Sequence, residues 1–259
     1  MLRSMITALC GAAVLVGCTS SSPIAGSPST RASTPSASPS FSPSTSTPSP
    51  APNPAVDPAN FVSWIDNPYY PLPPGMTLVY EGVRDGRSQR DVVEVTNTTK
   101  VVMGVTCVVV LDTATHNGSL IEKTEDWFAQ DKDGNVWYFG EDTAEYEHGK
   151  VVSREGSWEG GVNGAQPGII MPAHPQVPAS YRQEYLKGHA EDMAWIVSTG
   201  GSVQVPAGSF HDVLLTIEWT RLEPGVIDKK LYAPGIGIIK ELTAAGPNET
   251  ANLVSFTKP

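Results

Sequence analysis

The sequence predicts an all-β domain made of a single curled antiparallel sheet, a barrel-like meander, behind an N-terminal secretion segment and a polar tether. Three observations predict it. Short apolar, β-branched runs recur along the second part of the chain, punctuated by Gly, Asp and Asn. No long stretch carries a helical period. A weak internal repeat also aligns Gly104-Val105-Thr106-Cys107-Val108-Val109-Val110-Leu111 with Gly208-Ser209-Phe210-His211-Asp212-Val213-Leu214-Leu215, and with the same offset Phe128-Ala129 with Tyr232-Ala233. The repeat is either a duplicated meander or two similar meanders in one sheet. A meander that curls on itself removes its exposed edges and leaves a concave face.

Met1 to Ser4 supplies one cation, and Met5 to Val16 is an apolar run of about a dozen residues, short of the ~20 that span a bilayer. This is the pattern of a signal peptide. It ends in Leu15-Val16-Gly17-Cys18, which resembles the bacterial lipoprotein processing site. The resemblance implies cleavage after residue 17, a diacylglyceryl thioether and a palmitate-type acyl chain on Cys18, and attachment to the outer face of the cytoplasmic membrane. The alternative is an ordinary secretory signal with a chance cysteine. Residues 18–58 form the lipidated Cys and a Ser/Thr/Pro-rich tether with almost nothing to bury, so the chain entropy of folding is not offset there. Its prolines favour extended backbone at ~3.1 Å per residue, a reach on the order of 100 Å, which fits a domain facing the cell wall.

Residues 59–259 form the β-rich domain, long enough for a substantial core. A short helix is expected around Pro58 to Ile65. Strands are expected at Thr77–Val83, Asp91–Thr96 and across Lys100–Leu111 with a turn at Met103-Gly104. Trp127–Gln130 and Val136–Phe139 flank Asp131-Lys132-Asp133-Gly134-Asn135 as a hairpin. Thr143–Ser153 reads as a second hairpin turning at His148-Gly149-Lys150. Later strands are Met193–Ser198, Val213–Leu222, Asp228–Ala233 and Ile236–Leu242. Gly156 to Pro178, rich in Gly and Pro, reads as a long loop, either a binding loop or a cover over one end of a barrel.

The chain carries a net charge of −10 and no basic stripe, which argues against nucleic acid as a partner. Gly156–Gly168 lacks the Lys-Ser/Thr end of a phosphate loop, and Glu155–Gly160 does not read G-x-S-x-G. No cofactor is implied. Cys107 sits in an apolar run and reads as a buried small hydrophobe. Asp131, Asp133 and Asn135 have alternating oxygen ligands but match a β-turn better than a calcium loop. His174 and His189 are weak candidates for a metal site assembled in space. The carboxylates Glu122, Glu125, Asp126, Glu141, Glu145, Glu147 and Glu184 offer pairs for a hydrolase, against the simpler reading of a polar strand face.

Adjacent strand residues point to opposite faces, so the aromatics between Trp127 and Trp158 cannot all face one core. Trp127, Trp137, Tyr138, Tyr146, Trp158 and Met171 are therefore the candidate ligand-binding residues, lining a concave face or a sugar-stacking surface. A sheet covered on both faces is the other reading.

Three phrases, Asn67-Pro68-Tyr69-Tyr70-Pro71-Leu72-Pro73-Pro74-Gly75, Asp126 to Glu141, and Tyr232-Ala233-Pro234-Gly235-Ile236-Gly237-Ile238-Ile239-Lys240-Glu241, resemble those of a group of uncharacterised bacterial and archaeal secreted or lipid-anchored proteins. That resemblance carries no activity and no catalytic residues. The last phrase is also similar to those of curled-sheet lipoproteins of the LolA/LolB and lipocalin-like kind, which bears on fold alone. The expectation is a lipid-anchored, non-enzymatic binder of an apolar or amphipathic ligand. The alternatives are a module contacting cell-wall glycan or protein, and thirdly a hydrolase. Beyond the bilayer at Cys18, the sequence names no oligomeric partner.

Overall fold

The computed structural model describes residues 55–84 and 86–259. The signal segment, Cys18 and the tether up to residue 54 lie outside the described residues. Among the rest, a short 3-10 turn, Pro58–Asn60, is capped by Asp57, whose side chain accepts from Ala59 N at 3.0 Å. The expected helix shrinks to this turn, because Phe61–Val62 (β1) pairs with a later strand instead. The remaining strands are Thr77–Arg84 (β2), Arg87–Val102 (β3), Val105–His116 (β4), Ser119–Asp131 (β5), Val136–Glu147 (β6), Lys150–Ser153 (β7), Trp158–Glu159 (β8), Gln166–Met171 (β9), Ala179–Arg182 (β10), Glu184–Tyr185 (β11), Asp192–Val205 (β12), Gly208–Thr220 (β13), Ile227–Ala233 (β14), Gly237–Ala245 (β15) and Glu249–Thr257 (β16).

All pairings are antiparallel, in one 16-stranded sheet nearly closed into a barrel. The wall follows chain order, and its first strand, β2, pairs with its last, β16. The other seam is made by one short segment. β10 pairs with β12, and after the single residue Gln183 the chain continues as β11, which pairs with β9. The wall therefore divides into β2–β3–β4–β5–β6–β9 and β10/β11–β12–β13–β14–β15–β16, joined by β16–β2 and β9–β11. The repeat seen in sequence falls on β4 and β13, and on β5 and β14. The two copies differ in hairpin register: Val110 faces Asp126, whereas Leu214 faces Tyr232. That slip is an even number of residues, so inward and outward faces are kept.

Glycines matter at two close approaches. A Cβ on Gly168 of β9 would lie 2.3 Å from the carbonyl oxygen of Gln183, at the seam, so only Gly lets β9 and β11 meet. We predict that Gly168→Ala lowers stability by about 2–3 kcal/mol, read as a shift in urea midpoint; a shift below a fifth of that would show that the seam relaxes freely. Gly140 sits at a bulge where Trp127 pairs with Gly140 but Phe128 with Tyr138. There φ is +135° and a Cβ would meet Trp158 O at 2.3 Å.

Gly156–Pro178 is not a structureless loop. It contains β8 and β9, and β9 is a wall strand. What covers one end of the barrel is the segment Ile65 to Met76. Tyr70 packs edge-on against Phe128 (5.5 Å) and tilted against Tyr232 (6.4 Å). Gln130 Oε1 accepts from Asp66 N (3.0 Å) and Asn67 N (2.9 Å), and Gln130 Nε2 donates to Asp66 Oδ1 (2.7 Å). Asn67 Nδ2 donates to the carbonyl of Gly134 at 2.9 Å, and Gly235 N to that of Pro68 at 2.7 Å. The three phrases singled out in the sequence thus meet here, as plug and seat.

Candidate functional site: a buried acidic chamber

Cross-strand neighbours share a face of the sheet. Val95, Val110, Asp126 and Glu141 are in register across β3 to β6, and Ile196, Thr216, Lys230, Glu241 and Ala251 across β12 to β16. Both rows belong to the interior, and all of their residues except the half-buried Glu241 are buried. Toward the plug that interior is apolar, with Leu72, Leu78, Phe128, Ile170, Leu214 and Leu253 in one core cluster. Away from it the interior is acidic. Asp91, Asp112, Glu122, Asp126, Glu141, Glu184, Asp192, Glu218 and Asp228 are all buried, while the buried cations among the described residues are Arg84 and Lys230.

Some of these carboxyls are well held. Glu218 Oε1 accepts from Tyr232 Oη at 3.0 Å and Thr216 Oγ1 at 2.9 Å, and its Oε2 lies 3.0 Å from Lys230 Nζ. Tyr138 Oη donates to Asp126 Oδ1 at 2.8 Å, and Gln89 Nε2 reaches both oxygens of Asp91 at 3.0 and 2.9 Å. Arg84 Nε approaches Glu249 Oε2 at 3.6 Å.

Burial disfavours the charged form of each acid, and its neighbours are acids too. Burial and the nearby Asp112 push Asp91 up to about 8, against the Gln89 hydrogen bond. Burial, then Asp112, raises Glu122 to about 8. Burial raises Glu184 to about 8, opposed by the Trp158 indole and by Lys230. Asp126, Glu141, Asp192 and Glu241 are also raised, in each case first by burial. Burial would lower the Lys230 ammonium, but Glu218 and Glu241 outweigh it and hold it above its ordinary value. Burial and like-charged neighbours thus favour the neutral form of these seven acids, and a buried cation such as Lys230 favours the charged form of those it faces.

Several interior polar atoms have no hydrogen-bond partner of ordinary geometry. They include Gln183 Oε1 and Nε2, both Glu184 oxygens, Asp126 Oδ2, Asp192 Oδ1 and Trp158 Nε1, and, elsewhere in the interior, Gln89 Oε1 and Glu241 Oε2. Buried polar atoms are almost always paired, so these atoms are a departure from the rest of the interior. No family model and no curated protein matches the chain. Two solved structures are similar to it. One is an exported-protein candidate with a YmcC-like fold from Bacteroides fragilis NCTC 9343, at 16% identity and a TM-score of 0.45, covering 74% of this chain and 100% of its own. The other is a lipoprotein candidate from Parabacteroides distasonis ATCC 8503, at 15% identity and a TM-score of 0.42, with the same coverage.

The six residues singled out for ligand binding do not gather at one cavity. Trp127 and Trp137 are buried on the outer side of the wall, with Val102, Val105, Cys107 and Phe139, under Phe61 and Val56. Tyr138, Trp158 and Met171 are in the inner core, Tyr138 stacked on Phe128 at 4.9 Å and edge-on to Trp158 at 5.3 Å. Tyr146 is half-buried near the far end of β6. The sheet is thus covered on both faces here. Cys107 lies in the outer cluster, and burial pushes its thiol up to about 12, well outside the nucleophilic range.

Asp131 spends both oxygens on its own turn and wall: Oδ1 accepts from Asp133 N and Asn135 N, and Oδ2 from Asn135 Nδ2 and Trp137 Nε1 at 2.8 Å. Asp133 and His174 are exposed or half-buried on turns, and His189 Nε2 lies 3.2 Å from Ser157 O. Among the described residues no three His, Cys, Asp or Glu side chains are grouped to hold a metal ion. Of the carboxylates considered for hydrolysis, Glu122, Asp126, Glu141 and Glu184 are buried, whereas Glu125 and Glu147 are exposed. The chamber residues Asp91, Asp112, Glu218 and Lys230 are not ones the sequence singles out. A usable signal was present in β5, where Glu122, Thr124 and Asp126 share the parity of the core residue Phe128.

Proposed function

We propose that this protein is an extracytoplasmic, lipid-anchored binding protein whose barrel holds an amphipathic ligand, apolar part toward the plug and polar group in the acidic chamber. One observation carries this reading: the interior is apolar at one end and, at the other, acidic with polar atoms left without partners. Binding sites are largely apolar with a few convergent polar groups, and this interior has that composition. A small apolar pocket of about 20 Å³, lined by Tyr70, Leu72, Leu78, Tyr80, Val93 and Ile238, lies where the plug meets the wall. That volume is near the size of one water, so a ligand enters by displacing Ile65–Met76. The test is native mass spectrometry of the mature protein before and after solvent extraction, with thermal melting on adding n-octanol. A bound mass lost on extraction, and a melting temperature raised by n-octanol, are expected. A repeatedly empty protein that n-octanol does not stabilise would end the reading.

A second reading, a surface that contacts cell-wall glycan, is favoured by one pair. Trp195 is 46% exposed on the outside of the wall and meets Trp219 edge-on at 6.4 Å. Exposed aromatic rings of this kind suit stacking on sugar faces. An empty barrel together with wall-glycan retention that Trp195→Ala abolishes would decide for it.

A further inference from the structure

Resting on the reading of the barrel as a ligand holder, we propose that the ligand's polar group is a primary ammonium, seated at the β9–β11 seam among Gln183, Glu184, Asp192 and Asp126. The place is defined by the residue at which the chain crosses from one edge of the barrel to the other. Gln183 is the bend residue between β10 and β11, donates its backbone N–H to Asp192 O at 2.9 Å, and its break in the strand alternation lets it and Glu184 both be buried. It is 0% exposed, and neither its amide oxygen nor its amide nitrogen has a partner. Glu184, also 0% exposed, faces the Trp158 indole and has no other hydrogen-bond partner on its oxygens. Trp158 packs on Tyr138, which holds Asp126 through its hydroxyl, and its indole N–H is directed at the Glu184 carboxylate.

The inventory of these atoms selects the guest. With the Trp158 indole directed at Glu184, the acceptors left over are Gln183 Oε1, the second Glu184 oxygen, Asp126 Oδ2 and Asp192 Oδ1, against the single donor Gln183 Nε2. An anion, or a neutral acceptor such as a carbonyl, would leave most of the acceptors unmet and meet like charge. An ammonium brings three donors, no acceptor and the charge that buried carboxylates need. The chamber already holds one such group: Lys230 Nζ sits 3.0 Å from Glu218 Oε2 with its side chain 4% exposed. Lys230 is a resident of the β12–β16 half, and the guest ammonium does for Asp126 and Glu184 what Lys230 does for Glu218. Phosphate-bearing headgroups are disfavoured by the same acids, which leaves a free amphipathic amine as the ligand class. Its chain would run toward the apolar end past Ile170, Tyr181 and Ile196, all in the inner core.

Calorimetric titration of the mature protein with n-octylammonium, n-octanol and n-octanoate at pH 7.5 tests this. n-Octylammonium is expected to bind at least tenfold tighter than n-octanol, and n-octanoate weaker than either. Glu184→Gln keeps the shape and removes the charge. It should bring n-octylammonium to within twofold of n-octanol while leaving n-octanol unchanged, whereas exposed Glu147→Gln should alter neither. Asp192→Asn serves the same purpose if thermal melting shows Glu184→Gln to be unfolded. Equal affinity for n-octanol and n-octylammonium would overturn the ammonium site while leaving the ligand-holder reading intact. An ammonium preference that survives Glu184→Gln or Asp192→Asn would also overturn the site. Binding of none of the three would overturn both.

Discussion

Lys230→Met is expected to destabilise the protein by about 3–5 kcal/mol at pH 7, the loss typical of breaking a buried ion pair from one side. The cause is not the value of the Lys230–Glu218 contact by itself. Lys230 and Glu218 side chains are 4% and 3% exposed, so removing the ammonium strands a carboxylate that water cannot reach. Glu218 would keep Tyr232 and Thr216 as donors, but it would face Asp228 and Glu241 without a counter-charge. Lys230 also favours the charged forms of Asp126, Glu184 and Asp192, so its loss is felt across the chamber. Adding Glu218→Gln to Lys230→Met should return more than half of the lost stability, because removing both charges leaves neutral groups that can still hydrogen-bond. Urea unfolding of the two single variants and the double variant measures the coupling. A cost under about 1 kcal/mol for Lys230→Met would mean that the pair is not closed in solution.

The fold was largely legible because strands bounded by turn residues announce themselves through period-two patterning and Gly punctuation. The Met103-Gly104 turn illustrates it: both residues take positive φ, 49° and 81°, as a tight hairpin requires. The repeat was legible for the same reason. What was not legible depends on closure. Gln166–Met171 carries Pro and Gly, which disfavour a central strand in isolation, yet it completes the wall, and Gly168 is required there by the approach of Gln183. The role of Asn67–Gly75 as a plug shows only when Gln130, Gly134 and Gly235 are brought beside it. The acids were discounted for a sound general reason, since Glu and Asp usually occupy the solvated face of a strand. Whether a face is solvated is decided only when the sheet curls shut, and here closure encloses Asp91, Asp126, Glu184 and Asp192. The aromatic cluster divides between two layers for the converse reason. Phe61 and Val56 cover the outer face, so Trp127 and Trp137 are core residues of a second layer.

The same enclosed acids make stability depend on pH in the opposite sense to an ordinary salt-bridged protein. Burial pushes Asp91 up to about 8 from an ordinary 3.8, and Glu122 and Glu184 up to about 8 from 4.5. Between those limits the folded chain binds more protons than the unfolded chain, so the free energy of unfolding falls as pH rises. Stability from these groups is full at the acid end of the window, is lost progressively as pH climbs from about 4.5 to about 8, and is flat above. Each tenfold difference in proton affinity between folded and unfolded chain is worth about 1.4 kcal/mol, and neighbouring acids share their protons rather than adding independently. A total loss on the order of 3–6 kcal/mol between about pH 5 and about pH 8.5 is therefore expected. Urea midpoints across that range should decline steadily, and Glu184→Gln should flatten the decline by removing one titrating group while stabilising the protein at the alkaline end. A midpoint that instead rises across the same range would show that these carboxyls are ionised in the folded chain, already neutralised by a bound cation or by water. The two cases separate on dialysis against a chelator and solvent extraction, since only a bound cation can be stripped to restore the decline.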